Sequence, residues 1–223
     1  MDALGIAKAH LAGHSMAGNE ITAMAALYPA RTERIVYLDA AYDWGDPAFA
    51  PAYEAWPPIF MNPPPSVAAS LDAWRTYKMT YVFPEFKGKN ESSRFEAYIR
   101  GLVTVQPDGT LRSVMTESVA RGLLAAVTGD RRDYTKVQCP ALAIYAETSF
   151  DVRHGDPAQL AVNLAWEQKY MAPFRATSIE RIRRELPGVK VLNLPGTHMG
   201  FLFSSREKLA STMQQFLTGA VPR

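Results

Sequence analysis

Leu11-Ala12-Gly13-His14-Ser15-Met16-Ala17-Gly18 decides the fold of this chain. A short, small-residue run from Ala9 to Ala12 ends in Gly-His-Ser, and Met16-Ala17-Gly18 opens a segment that reads as a helix. A strand that turns sharply into a helix holds a serine side chain clear of the sheet on a strained backbone. Small neighbours are needed because strand and helix come very close there. The usual pattern of such an elbow is Gly-x-Ser-x-Gly. Here the last place is Ala17, a departure of one methyl group, with Gly18 directly after. Short Gly/Ser motifs also arise by chance in ordinary turns, so the surrounding chain has to decide.

From Met16 to Tyr28 the residues Ala17, Ile21, Met24, Leu27 and Tyr28 recur at helical spacing, and Pro29 ends the run. Ile35-Val36-Tyr37-Leu38 then reads as a strand buried on both faces, closed by Asp39. Strand, helix and strand in that order form a parallel unit. Upstream, Met1 to Lys8 reads as the tail of a helix broken near Gly5.

Between Asp43 and Lys136 the texture changes. Prolines cluster at Pro57-Pro58 and Pro63-Pro64-Pro65. Aromatics are dense, among them Tyr42, Trp44, Phe49, Tyr53, Trp56, Phe60, Trp74, Tyr77, Tyr81, Phe83 and Phe86. Helices are expected over 66–79, 92–102 and 116–127, with a turn at Gln106-Pro107-Asp108-Gly109 between two short β-prone runs. Most of these rings must form the segment's own core, and a few are expected to line a pocket beneath it. Sheet pattern resumes at Ala141–Ala146 and again at Val189–Leu194, with a largely helical stretch over 156–186 between them. A tight loop, Pro195-Gly196-Thr197-His198-Met199-Gly200, leads to a last helix. That helix is expected to start on a capping box of Ser204 and Glu207 and to stop at Gly219.

With 223 residues, 48% apolar, 21% charged and a net charge of +2, the chain suits one sizeable globular domain, or a core plus an inserted lobe. It has neither the basic excess of a nucleic-acid binder nor an apolar run long enough to span a membrane. No signal peptide is evident, and the sole cysteine, Cys139, suits a reducing compartment, so a cytoplasmic location is expected. Cys139 reads as a small core filler before a strand. Asp151, His154 and Asp156 cluster in one loop without a distant partner, so no metal site is expected. With no phosphate loop or dinucleotide fingerprint, no cofactor is expected either.

A serine hydroxyl becomes a nucleophile only when a base takes its proton, and a third group must hold that base in the right tautomer. Of the four histidines, His10 lies on the strand before the elbow, His14 is a wall residue inside it, and His154 is in a polar loop. His198 sits in a glycine-rich loop after the last strand, on the rim that also carries Ser15. His198 is the candidate base.

At these residues the chain resembles the α/β-hydrolase family. The resemblance rests on Gly13–Gly18, on Tyr37-Leu38-Asp39-Ala40, on the strand around Pro140–Ala146 and on Leu194-Pro195-Gly196-Thr197-His198. It implies an α/β fold with a mostly parallel sheet, a hydrolase core in 1–42 and 137–223, and a mainly helical cap in 43–136. It further implies Ser15 as nucleophile, His198 as base and the Met16 backbone amide as an oxyanion donor. His14, Met199 and Trp44 are the expected pocket lining, around a small-molecule substrate.

The acid stays open between three residues. The common family pattern puts an aspartate just past the penultimate strand, where Ala146-Glu147-Thr148-Ser149 offers a serine instead, flanked by Glu147 and Asp151. Some members take the acid from the end of the strand after the nucleophile helix, here Asp39. Asp39 ranks first, then Asp151, then Glu147.

The family usually places several strands, and a loop donating a second oxyanion amide, before the elbow. This sequence opens fourteen residues before Ser15. The expectation is a partial core whose Ser15 strand is an exposed edge, open to pairing with another chain or a second copy of itself. Loss of one oxyanion donor would cost on the order of a hundredfold in rate. The expected activity is hydrolysis of an ester or related acyl compound. The alternatives are lyase chemistry on the same residues, such as cyanohydrin cleavage, and an inactive or partner-dependent fragment.

Overall fold

The computed structural model describes residues 1–57, 64–86, 93–129 and 131–219. Pro58, Phe60, Pro63 and Ser92 lie outside the described residues.

The strands are β1 (Ala9–His14), β2 (Thr32–Leu38), β3 (Val103–Val105), β4 (Leu111–Ser113), β5 (Ala141–Thr148) and β6 (Lys190–Thr197). The α-helices are α1 (Ala17–Leu27), α2 (Ala50–Glu54), α3 (Leu71–Tyr77), α4 (Ser93–Gly101), α5 (Glu117–Gly129), α6 (Pro157–Trp166), α7 (Ala172–Glu185), α8 (Phe201–Ser204) and α9 (Arg206–Thr218). Four parallel strands form the main sheet in the order β1-β2-β5-β6, and β3 and β4 make a separate antiparallel pair. One rung, His14–Leu38–Ile144, crosses β1, β2 and β5 and sets the level of the rim above it.

Residues of a strand point alternately to opposite faces, so a continuous apolar run must be covered on both sides. On one face Ile35, Tyr37, Ala141, Ala143 and Tyr145 pack with Ile21 and Ala25 of α1 and with Phe174 and Ile182 of α7. On the other, Val36, Leu142, Ile144 and Ala146 pack with Phe201, Leu209 and Phe216 of α8 and α9. Burial of each large aliphatic side chain contributes about 1.5–3 kcal/mol, which is why β2 and β5 anchor the rim so firmly. β1 stands at the sheet's edge among the described residues, with His10 and Ala12 exposed.

Helix ends follow local chemistry. The Asp156 carboxylate accepts from the Ala158 and Gln159 amides, with Pro157 in the first turn of α6. The helix expected over 66–79 is divided at Ser70, whose Oγ accepts from the Ala73 amide and starts α3 afresh. Met1–Lys8 holds only a single 3-10 turn, Asp2–Leu4, before Gly5 takes the left-handed conformation. The expected capping box is corrected. Ser204 belongs to α8 and its hydroxyl donates back to the Gly200 carbonyl at 3.1 Å, while α9 starts after Ser205 without a side-chain cap. Gly219 does end α9, at φ 70°. β6 also runs on through Pro195 and Gly196 to Thr197, so the loop that carries His198 is shorter than the sequence suggests.

Among the described residues, the stretch 43–136 adds no strand to the main sheet. Its ends are tied into the core, since Trp44, Phe49 and Ala52 near one end and Val127 and Tyr134 near the other join the α7 face. Buried Asp43 pairs with Arg131 at 2.7 Å and with Arg181 of α7, locking that junction. Met79, Phe83, Phe95 and Ile99 form a separate cluster, against which Met199 and Phe203 pack. Among the described residues no helix is long and apolar enough to cross a membrane.

Candidate active site

Ser15 follows the last residue of β1 and has φ 57°, a left-handed backbone that costs a side-chain-bearing residue on the order of 1–3 kcal/mol. Parallel pairing imposes it, because the Ser15 amide still donates to the Leu38 carbonyl at 3.2 Å while the chain turns into α1. Tolerance of this turn depends on Gly13 and Gly18. A Cβ on Gly13 would lie 2.7 Å from the Ala17 carbonyl oxygen, and one on Gly18 would lie 2.2 Å from that of Ala40.

The Ser15 hydroxyl lies 2.9 Å from His198 Nε2, and His198 Nδ1 lies 2.6 Å from Asp39 Oδ2. Asp39 is fully buried, whereas the His198 side chain keeps 21% of its surface exposed. With Nδ1–H donating to the carboxylate, Nε2 is left as the acceptor facing Ser15. The Met16 amide follows Ser15 directly, at the start of α1, where peptide N–H groups have no partner inside the helix.

A carboxylate shut away from water must be compensated by donors and cations. The other oxygen of Asp39, Oδ1, accepts from the Tyr42 hydroxyl at 2.7 Å and from the Ala146 amide at 3.1 Å. Burial by itself would raise the Asp39 carboxyl. The hydrogen bond and charge of His198, the Tyr42 hydroxyl and the Arg175 guanidinium outweigh it and hold the group below the usual carboxylate range.

His14 lies beneath His198, its ring stacked at 4.6 Å and 30°, with Nε2 2.9 Å from the His198 carbonyl oxygen. That oxygen can only accept, so the proton between them sits on Nε2 of His14. Burial, then the neighbouring His198, pushes the His14 imidazole down to about 4.

The alternative acids lie elsewhere. Asp151 is buried but turned into its own loop, accepting from the Arg153 and His154 amides and from His154 Nδ1 at 2.9 Å. Exposed Glu147 pairs with Arg153 at 3.2 Å. Neither meets His198. Trp44 sits within the core among Tyr42, Phe49 and Phe174, and Met199 joins the Met79–Phe83 cluster. Among the described residues no group of three or more His, Cys, Asp or Glu is arranged to hold a metal ion.

Two polar residues around Asp39 escape a sequence reading. Tyr42 is only three positions from Asp39 and stands among many aromatics, while Arg175 is 133 residues beyond Tyr42 with no local signal. The nearest hint is the serine at 149 where an aspartate would be expected.

No protein-family model matches the sequence, and no curated protein matches it. Solved structures do. A marine microorganism esterase superposes with a TM-score of 0.56 at 16% identity, over 96% of this chain and 72% of its own. A carboxylesterase from Bacillus subtilis superposes with a TM-score of 0.51 at 17% identity, over 99% of this chain and 63% of its own. An enol-lactonase from Burkholderia xenovorans gives 0.54 at 18% identity, over 98% and 68%. This chain therefore spans between 63% and 72% of the length of these three proteins. The parallel sheet, the serine turn after β1 and these superpositions lead to one conclusion: the chain has the α/β-hydrolase fold.

Proposed function

We propose that this protein is a serine hydrolase of esters or related acyl compounds, with Ser15 as nucleophile, His198 as general base and Asp39 as the acid that orients it. The observation that carries the reading is the unbroken line from Ser15 Oγ through both His198 nitrogens to Asp39 Oδ2, with steps of 2.9 and 2.6 Å. In the reaction so proposed, His198 Nε2 takes the Ser15 proton as Oγ bonds to the substrate's acyl carbon. The Met16 amide faces the oxyanion that develops. His198 returns the proton to the leaving alcohol, and a water activated by the same nitrogen then releases the acid and restores Ser15.

The stretch 43–136 acts in this proposal as a cap over the site, with the substrate's apolar part held between it and the His198 loop. Packing of Met199 and Phe203 against Met79, Phe83, Phe95 and Ile99 supports that placement. The esterase and lactonase superpositions support acyl chemistry as the class.

The test is a fluorophosphonate probe, which phosphonylates an activated serine, together with turnover of a short-chain nitrophenyl ester. Labelling and turnover in the wild type, both absent in Ser15→Ala, are expected. Equal labelling of the two proteins overturns the proposal.

A further inference from the structure

Behind Asp39 lies a second line of buried polar groups that the reaction above does not use. Arg175 of α7 donates from Nε to the Tyr42 hydroxyl at 3.2 Å and from Nη1 to Glu167 Oε1 at 2.7 Å. The other Glu167 oxygen accepts from the Ser149 amide at 2.8 Å. Asp39 and Tyr42 have no exposed surface, Glu167 has 5% and Arg175 has 9%.

The direction of each proton follows from what the groups can do. An arginine only donates and a carboxylate only accepts. The Tyr42 oxygen must therefore take the Arg175 proton and point its own at Asp39. One hydroxyl is thus fixed from both sides.

We infer that Tyr42 and Arg175 are positioning residues for the proposed reaction: Arg175, through the Tyr42 hydroxyl, holds Oδ1 of Asp39 so that Oδ2 stays on His198 Nδ1. This rests on the reading of Ser15, His198 and Asp39 as the reacting set. It also fits the absence of an aspartate at position 149. With the acid at the end of β2, the end of β5 contributes amides instead, Ala146 N–H to Asp39 and Ser149 N–H to Glu167.

The charged and titratable groups facing Asp39 are His198 on the loop after β6, Tyr42, Tyr145 of β5 and Arg175 of α7, with His14 beneath His198 and Glu167 behind Arg175. Arg175 is the cation on the side away from His198. Its pull, relayed by the hydroxyl, moderates the field that Asp39 exerts on the imidazole. Removing the hydroxyl or the guanidinium concentrates the carboxylate's charge on Oδ2 and favours the protonated ring.

The test is Tyr42→Phe, which keeps the ring stacked on Phe174 and removes only the hydroxyl. The His198 imidazole titration, followed by NMR, is expected to move to higher pH by about one unit. The acid limb of kcat/KM should move with it. Turnover should fall about tenfold at unchanged KM, the worth of one hydrogen bond to a charged group. Arg175→Gln should reproduce the titration shift, and Arg175→Lys, which keeps the cation, should largely restore the wild-type midpoint. If Arg175→Gln does not fold, Tyr42→Phe decides alone. A lower melting temperature with an unmoved His198 titration overturns the inference and leaves Tyr42 and Arg175 as core struts. Absence of probe labelling in the wild type instead overturns the hydrolase reading, and the NMR midpoint still judges the relay.

Discussion

Ser15 and Asp39 carry the same backbone distortion on neighbouring strands. They are the two non-glycine residues with positive φ among the described residues, 57° and 46°, and each directly follows a member of the rung His14–Leu38–Ile144. Both still use their amides to extend the ladder, Ser15 to the Leu38 carbonyl and Asp39 to that of Ile144 at 2.6 Å. Pairing thus runs one residue past the point where each strand leaves the sheet. Both side chains are lifted to the same rim, where His198 bridges them.

That strain is measurable at the serine. Glycine takes a left-handed backbone without steric cost, whereas alanine does not. Ser15→Gly is expected to be more stable than Ser15→Ala by about 1 kcal/mol in urea unfolding, with neither variant labelled by a fluorophosphonate. A glycine variant less stable than the alanine variant would show that the rim holds Ser15 without strain.

Asp39→Asn tests the acid. Asparagine in place of Asp39 would keep the shape but offer an amide where Tyr42, Ala146 and His198 all bring donors, and would favour the wrong histidine tautomer. Turnover should fall on the order of 10⁴-fold, the size of the equivalent change in a Ser-His-Asp enzyme. Asp151→Asn and Glu147→Gln, whose carboxylates are spent on His154 and Arg153, should change kcat by only a small factor. The opposite ranking would move the acid away from β2.

The parts of this architecture that follow local rules were legible in the sequence. The elbow, the doubly buried β2 and the helical spacing of α1 each follow from residue size and period over a dozen positions. The candidate acid could be ranked because Asp39 closes an apolar strand beside the serine strand. The Tyr42–Arg175–Glu167 line was not legible, because it joins β2's end to a helix more than a hundred residues on, and buried ion networks leave no periodic trace. Ser204-x-x-Glu207 misled for a related reason. Gly200 begins α8 one turn early and takes the Ser204 hydroxyl as a partner before the expected cap can form.

Gly18→Ala should link stability to the site. The added methyl would meet the Ala40 carbonyl at 2.2 Å and Arg132 Nη1 at 2.7 Å. Backbone cannot yield there without moving Ala40 and, with it, Asp39. A loss of about 1–3 kcal/mol is expected, accompanied by reduced kcat. Gly122→Ala, in α5 with nothing within 4 Å, should instead gain about 0.5–1 kcal/mol and leave activity unchanged. Equal effects of the two substitutions would show that α1 does not press on β2's end.

His14 sets a pH limit on the fold. Its imidazole titrates near 6.5 in the unfolded chain and is pushed down to about 4 in the native protein, by burial first and by His198 next. Between those two values the unfolded chain holds a proton that the native state refuses, so stability rises with pH across the window and is lost as pH falls from 6.5 towards 4. Above 6.5 neither state carries that proton and the contribution is constant. The full difference corresponds to about 3 kcal/mol. Urea midpoints measured from about pH 7 to about pH 4.5 should therefore fall more steeply for the wild type than for His14→Asn. The asparagine variant has no such proton to refuse, though its side-chain amide can still donate to the His198 carbonyl. Parallel pH curves for the two proteins would mean that His14 takes up its proton in the folded state without losing its bond to that carbonyl.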